Sequence, residues 1–566
     1  MLTRRLLLAL PAVLAAAGTA FAHGGAYRGP GNAGGPGGPP PGPSDDPAPV
    51  TQWETWWANN KYLHLRLGEG MRESTGAVTG GGARTERDDE GRVKEARQVR
   101  EELDAIVRDL LVPLFVAGLQ DPSFEVRTAA AVALGKTGDP SGVEPLQRAA
   151  AKDDHPDVRD AALLGLGLLG QPKALPGLRD IVRDEQATTR HRSFAAFSTG
   201  LVGGKEAAAT LVEWMRLRDG SLRHRGDAPF LASCLLAMGF TGEDDVIPVL
   251  RQAFRDREYD EQTRAFALLA LGRCRDRESL GEMVATLGDP QGRVAMQRAA
   301  AVALGKVAHA SDNSAVVTLF DAVRSNRDPL VRHFAAVTLG GLADTTVRGE
   351  LRRAFARADD ADRAFLALAL GIASDLESAP ALRKALASER NESQRGAFAI
   401  ALGLMEDKGA KEVLEAQVRD RGAIWPAGYA SLAIGMARIT ESAPALRKAL
   451  EETNDPRLRA NVAAGLGLLH DPVARKWFFD TVKGKGSMYE RGGAAMALGM
   501  LRINEAVPLL VGVSRDTDEQ DLMRAYAVVA LGILADPTDP PKLARFSIDH
   551  DYSLVNDPVN EVLTIY

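Results

Sequence analysis

Aromatic side chains make up only 5% of this 566-residue chain, cysteine occurs twice, and neither sign of charge dominates. With so few rings, the core has to be built on small and aliphatic residues, which suits closely packed helices and the 45% apolar content. Against 69 basic residues stand 75 acidic ones, a net charge of −6. That near-balance provides no global field for nucleic acid or an anionic membrane. After the first two dozen residues no apolar run approaches the ~20 residues that a membrane span needs. Strand-like alternation is missing throughout, and neither a Gly-x-Ser-x-Gly elbow nor a phosphate-cradling Gly-rich loop before a strand occurs.

What the chain has instead is a period. A glycine closes an Ala-Leu-Gly-like signature at Gly135, Gly167, Gly200, Gly239, Gly272, Gly305, Gly340, Gly371, Gly403, Gly435, Gly467, Gly499 and Gly532, at steps of 31 to 35 residues with one of 39. A fixed interval in this range marks a stacked-repeat protein. Glu377 to Leu386 recurs letter for letter at Glu441 to Leu450. Within one unit Val126, Ala129, Ala130, Ala133 and Leu134 form an apolar stripe of helical period, Gly138 ends the helix, and Asp139-Pro140 opens the next. An acidic residue stands four places after the glycine in most units. The spacing predicts an all-α solenoid of about thirteen helical hairpins, a curved rod on the order of 100 Å or more along its arc.

Eight residues before the glycine stands an arginine in ten units: Arg127, Arg159, Arg192, Arg264, Arg332, Arg363, Arg395, Arg459, Arg491 and Arg524. Equivalent positions lie above one another in a stack, so this column repels itself unless carboxylates interleave it. Asp121, Asp157, Glu261, Asp328, Asp362, Glu392, Asp455, Glu490 and Asp521 are placed to do so. The column reads as stacking geometry, with an anion-binding stripe as the alternative.

Arg4 and Arg5, the apolar run Leu6 to Ala17 and the Ala20-Phe21-Ala22 site read as a signal peptide over 1–22, cleaved after Ala22. The expectation is an exported, periplasmic or extracellular product with no membrane span, and the twin arginine leaves the export route open. Residues 23–50 form a Gly/Pro-rich tether. Residues 51–94 hold Trp53, Trp56 and Trp57 on one helical face, followed by a flexible charged loop; the tryptophans are expected to cap the exposed flank of the first repeat. The array covers 95–537, and 538–566 is a C-terminal cap or tail. Cys234 and Cys274 sit about seven residues apart along neighbouring helices, roughly 10 Å of axial offset, too far for a ready bridge.

Openings such as Asp328-Pro329-Leu330-Val331-Arg332, followed by Ala-x-x-Leu-Gly, resemble HEAT repeats, most closely the short, phycobilisome-lyase-like variety of bacteria. Together with the tryptophan segment and the tail Arg545 to Tyr566, the chain looks like an exported bacterial HEAT-repeat family of undetermined role. The resemblance implies fold and export and supplies no activity. Di-iron hydroxylases of this fold carry His-Glu pairs, and none of the nine histidines here is followed by glutamate. Export leaves a bilin lyase without its cytoplasmic partner.

The long step between Gly200 and Gly239 carries Arg216, Arg218, Arg223, His224 and Arg225, where Leu231 breaks the arginine column. Insertions in repeats map to loops on one edge, so this loop is either a solvated turn or a site for an acidic partner or anionic polymer. Trp425 and Tyr429, at i and i+4, form a second irregularity, suited to packing or to binding. His23 as a mature N-terminus and Asp549-His550-Asp551 are weak ligand groupings, so no metal or cofactor is expected. The composition and repeats favour a non-enzymatic scaffold that binds a protein or peptide on a concave surface. The alternatives are an envelope enzyme or accessory subunit acting on an anionic glycan or phosphorylated substrate, and a structural part of a surface assembly.

Overall fold

The computed structural model of the protein describes residues 53–65, 103–223, 227–420, 422–538, 542 and 550–554. The signal segment, the tether, the Gly-rich loop and the last twelve residues lie outside them. The signature glycines belong to thirteen helices, numbered here as units 1 to 13: Phe124–Thr137, Pro156–Leu169, Thr189–Val202, Ala228–Met238, Glu261–Arg273, Val294–Val307, Pro329–Gly341, Asp360–Ile372, Glu392–Leu404, Ile424–Met436, Pro456–Leu468, Met488–Met500 and Asp521–Leu534. Short side chains start many of them. Ser123, Thr188, Asp328 and Ser487 each accept a backbone N–H two or three residues into the helix they open. The stop is equally regular. Three residues after the glycine the backbone turns left-handed, at Gly138 (φ 73°) and Gly170 (φ 68°), and even at non-glycine residues such as Ser374 (φ 49°) and Arg502 (φ 51°). A short 3₁₀ turn in most units then leads into a second helix, for example Val143–Lys152 after unit 1 and Val507–Arg515 after unit 12.

The two helices of each hairpin form separate layers. Signature helices pack directly on one another, least closely between units 11 and 12, whereas the second helices rest mainly on the signature helix of the following unit. The missing Cβ explains the difference. A methyl group on Gly340 would lie 2.6 Å from the carbonyl oxygen of Ala369, and one on Gly499 would lie 2.7 Å from that of Ala530. No side chain fits between these backbones, so the signature layer is the tighter one and the stack must bend towards it.

The bend runs to completion. The helix of unit 13 packs on that of unit 1 as intimately as most consecutive pairs pack. A Cβ on Gly532 would come within 2.6 Å of Ala133 Cβ, the register that links most other junctions. The open rod expected from the period is therefore corrected to a closed ring, each unit turning the chain by roughly 28°. The signature helices form the inner wall and the others the outer wall.

The arginine column closes with it. Arg127 reaches Asp153, Arg332 reaches Asp362 at 2.8 Å, Arg395 reaches Asp420, and Arg459 reaches Glu490, each a residue of the next step. Arg524 of unit 13 pairs with Asp121, just before unit 1. Asp362, Glu490 and Asp121 were placed by the sequence. Asp157, Asp328 and Asp455 instead pair with Arg190, Arg298 and Arg457, because the arginine extends towards the loop before the next helix. An outer ladder runs parallel to the first: Arg251, Arg383 and Arg447 each bind the aspartate that opens the following turn, at Asp276, Asp407 and Asp471. Both cysteines are free.

Closure makes a stability prediction. Gly532→Val forces the seam apart and should cost about 1–3 kcal/mol, with amide exchange rising in Phe124–Thr137. Gly512→Ala, on an outer helix where a Cβ meets no atom within 4 Å, should leave the melting temperature and that exchange unchanged.

Candidate functional site

The inner wall presents the residues ten, six and three places before the glycine and the one after it. Ser393, Tyr429, Val302, Val337 and Met500 all occupy these positions and all meet the same two segments of the chain. Three before the glycine, every unit carries an apolar residue, from Val132 to Val529. A ring lined in this way has a strong drive to be filled.

The helix Trp53–His64 fills it from one end of the chain. Trp53 donates its indole N–H to the Ser393 carbonyl and hydroxyl, both at 2.9 Å, and its ring lies 4.8 Å from that of Tyr429. Gly396 makes room for the pair, since a Cβ there would lie 2.7 Å from the tyrosine ring and 2.8 Å from the indole. Ser393 in turn donates to Glu54 at 2.5 Å, and burial pushes the Glu54 carboxyl up. Farther along, Tyr62 donates to the Met500 sulfur, and Trp56 packs near Phe334 and Ile372. The tryptophans therefore do not cap unit 1. They sit against units 6 to 12, because the inner wall offers far more apolar surface than one exposed flank.

The C-terminal segment completes the filling. Arg502 donates to the Thr538 carbonyl, Lys542 to the Leu168 carbonyl at 2.8 Å, and Arg298 to Ser553 at 2.9 Å. His550 stacks on Phe266 and Tyr552 meets Phe334 edge-on. His550 and Tyr552 of the tail thus pack against the wall, and Asp549 lies outside the described residues. Among the described residues no three His, Cys, Asp or Glu side chains gather as a metal site would require.

Tyr429, expected as a binding residue, is 2% exposed and covered by Trp53. Its neighbour Trp425 is half-buried and carries the Arg457 guanidinium over its ring. The concave surface expected to take a partner is the inner wall, and the chain's own termini occupy it.

The insertion after unit 3 forms a tight hairpin on the rim. Arg216 and Leu222 bridge antiparallel, Arg223 N–H donates to the Met215 carbonyl, and Gly220 (φ 84°) makes the turn. Leu222 tucks into the core and Tyr259 donates to the Arg223 carbonyl. Arg216 is spent on the Gly220 carbonyl. Arg218 and Arg223 are exposed with no ion pair among the described residues; His224 and Arg225 lie outside those residues. The column behind this hairpin also differs. Arg159, Arg192 and Arg264 hydrogen-bond to backbone carbonyls, those of Asp153, Val182 and Phe254, and Arg192 also lies over the Phe230 ring, where the rest of the column meets carboxylates. Arg264 is held below the usual guanidinium range by burial and by Arg257. Units 2 to 5 are thus the one arc where the column lacks carboxylate partners among the described residues.

A family model described as HEAT repeats matches residues 112–198, 247–340 and 316–403. Among solved structures, human deoxyhypusine hydroxylase in complex with glycerol is 20% identical, covering 47% of this chain and 96% of that one, with a TM-score of 0.22. The complex of CpcE and CpcF of phycocyanin lyase from Nostoc sp. PCC7120 is 19% identical over 44% of this chain and 93% of that one, with a TM-score of 0.28. The Kap95:Nup1 complex is 14% identical over 77% and 70%, with a TM-score of 0.38. No curated protein matches the chain.

The buried tail carries a pH dependence. Burial pushes the Asp551 carboxyl from 3.8 up to about 6, so the docked tail binds more protons than the released one between those values. Docking is strongest below about pH 4 and weakens as the pH rises to about 6. Asp551→Asn keeps an acceptor for Ser553 and removes the buried charge. It should raise stability at pH 7.5 by on the order of 3 kcal/mol and change little at pH 4, as read by thermal melts at the two pH values.

Proposed function

We propose that this chain, a HEAT-repeat protein whose array closes into a ring, is an exported, non-enzymatic scaffold that holds an acidic segment of a protein or peptide partner on its rim. The carrying observation is the run of arginines on units 2 to 5 without carboxylate partners, with the exposed Arg218 and Arg223 in front of it. Elsewhere the same column is neutralised within the chain. With the inner wall filled by the termini, the rim and the outer wall are what a partner can reach. Arginine suits this role, since its planar fork pairs with carboxylates in two-pronged fashion and is only weakly hydrated. Asp184, Asp219 and Asp256 lie along the same edge, but each caps its own turn. The Gly/Pro-rich stretch before the tryptophans would provide reach, and the leader would place the ring outside the cytoplasm.

An affinity pull-down of the full chain from envelope extract tests this. The expected result is one stoichiometric partner, released as salt rises and lost from the variant carrying Arg218→Ala and Arg223→Ala. A variant that retains the partner, or a wild type that retains none at any salt concentration, contradicts the proposal. Turnover of an anionic glycan or phosphorylated substrate that depends on the same two arginines would favour the enzymatic alternative instead.

A further inference from the structure

Most signature glycines are pressed by the main chain of the next signature helix, and two are not. The atoms nearest to a Cβ on Gly305 belong to the Thr338 side chain, at 3.1 to 3.8 Å, and those nearest to a Cβ on Gly467 belong to the Leu501 side chain, at 2.6 to 3.6 Å. Each stands as a wedge where two backbones meet elsewhere. Thr338 is the largest residue at its position, two before the glycine, where nine units have alanine. The wedged junctions, between units 6 and 7 and between units 11 and 12, are the two least intimate of the ring.

The arginine column adds little at either place. Unit 6 has Gln297 in it, which donates to the Asp289 carbonyl at 2.7 Å and accepts from Asn326 at 3.4 Å, an amide contact in place of an ion pair. Arg459 of unit 11 reaches Glu490 through one nitrogen at 3.3 Å, and its buried Nε has no hydrogen-bond partner. Ion pairs nevertheless pin both junctions at the rim and on the outer wall. Arg298 binds Asp328 and Arg324 meets Glu350 at 3.7 Å across the first, and Arg475 binds Glu505 at 2.8 Å across the second. A loosened inner contact beside a pinned outer one is the geometry of a hinge.

We propose that the ring consists of two rigid sectors, units 7 to 11 and units 12 through 1 to 6, which fold about the line joining these junctions, and that the helix Trp53–His64 is the strap that fixes their angle. A closed loop with two pivots has one such axis, so neither junction moves without the other. The strap touches both sectors. Trp53 bonds to Ser393 of unit 9 and packs on Tyr429 of unit 10, whereas Tyr62 donates to the Met500 sulfur of unit 12 at 3.4 Å. Across the other junction, Trp56 and His64 lie beside Val302 and Gly305 of unit 6 and Phe334 of unit 7. The tail ties that junction a second time, since Ser553 accepts from Arg298 of unit 6 and Tyr552 meets Phe334 of unit 7. The unneutralised arginines of units 2 to 5 lie within one sector, so the hinge does not rest on the partner assigned to them.

Nitroxide pairs on the outer wall of the full chain test the hinge. Asp180, in the helix Leu175–Arg183 after unit 2, and Ala416, in the helix Lys411–Arg419 after unit 9, are exposed on opposite sectors. Asp180 and Val317, in the helix Asn313–Ser325 after unit 6, share one sector. Wild type should give one narrow distance for each pair by double electron–electron resonance. Trp53→Ala combined with Tyr62→Ala should broaden the first distance and shorten it by about 5 Å while leaving the second unchanged. Amide exchange should rise in Pro329–Gly341 and Met488–Met500, the helices that follow the two hinges. Trp53→Ala alone serves if the double variant does not fold. Three results would overturn the proposal: an unchanged first distance in the folded variant; equal broadening of both pairs, meaning a ring that loosens everywhere; or exchange that rises only in Glu392–Leu404 and Ile424–Met436, where Trp53 sits, meaning local packing alone.

Discussion

Backbone-to-backbone contact between signature helices is the constraint on which the rest of the molecule depends. At most of the signature glycines, Gly305 and Gly467 excepted, the next helix comes so near that a methyl group would press on its main chain. One layer is thereby drawn closer than the other, and a two-layered stack with unequal spacing must curve. Thirteen such increments bring Gly532 against Ala133, and the last junction repeats the first. Arg524 and Asp121 then restore the ion pair that an open end would have left unmade.

Closure decides what the interior can be. An open solenoid offers its concave side to partners, but this ring lines that side with apolar residues in every unit and covers them with its own termini. Trp53, Trp57 and Tyr429 are among the largest fully buried side chains of the protein, so the scarce aromatics are concentrated where the wall most needs covering. Lys61 is buried with them, its ammonium brought down to about 7 by desolvation, and Glu54 and Asp551 are shifted in the opposite direction. The filling is held by apolar burial against the cost of interring these charges, so its stability is tied to pH. The outer wall, by contrast, is laced by arginine–carboxylate pairs such as Arg251–Asp276, Arg383–Asp407 and Arg447–Asp471.

The repeat grammar was legible in the sequence because each unit restates it: the glycine, the arginine eight places before, the aspartate four places after. Closure was not, because it depends on the sum of thirteen small rotations, and a change of a few degrees per unit would leave the ends apart. The tryptophan segment had a visible helical face, but its socket at Ser393, Gly396 and Tyr429 lies some 340 residues away, beyond the reach of local pattern. Tyr429 looked like a candidate for binding for the same reason: its cover comes from the far end of the chain. The insertion showed in the sequence as the one long step of the period, while the unneutralised arginines behind its hairpin emerge only from the pairings.

A distance measurement across the seam tests the central claim most directly. Nitroxide labels at Ala117, in the helix Val112–Gly118 that precedes unit 1, and at Gly512, on the outer helix after unit 12, occupy adjacent places on the outer wall of a closed ring. Double electron–electron resonance on the full chain should give one narrow distance within about 30 Å. A separation on the order of 100 Å, as an open array of thirteen hairpins would place them, would contradict the ring and everything derived from it.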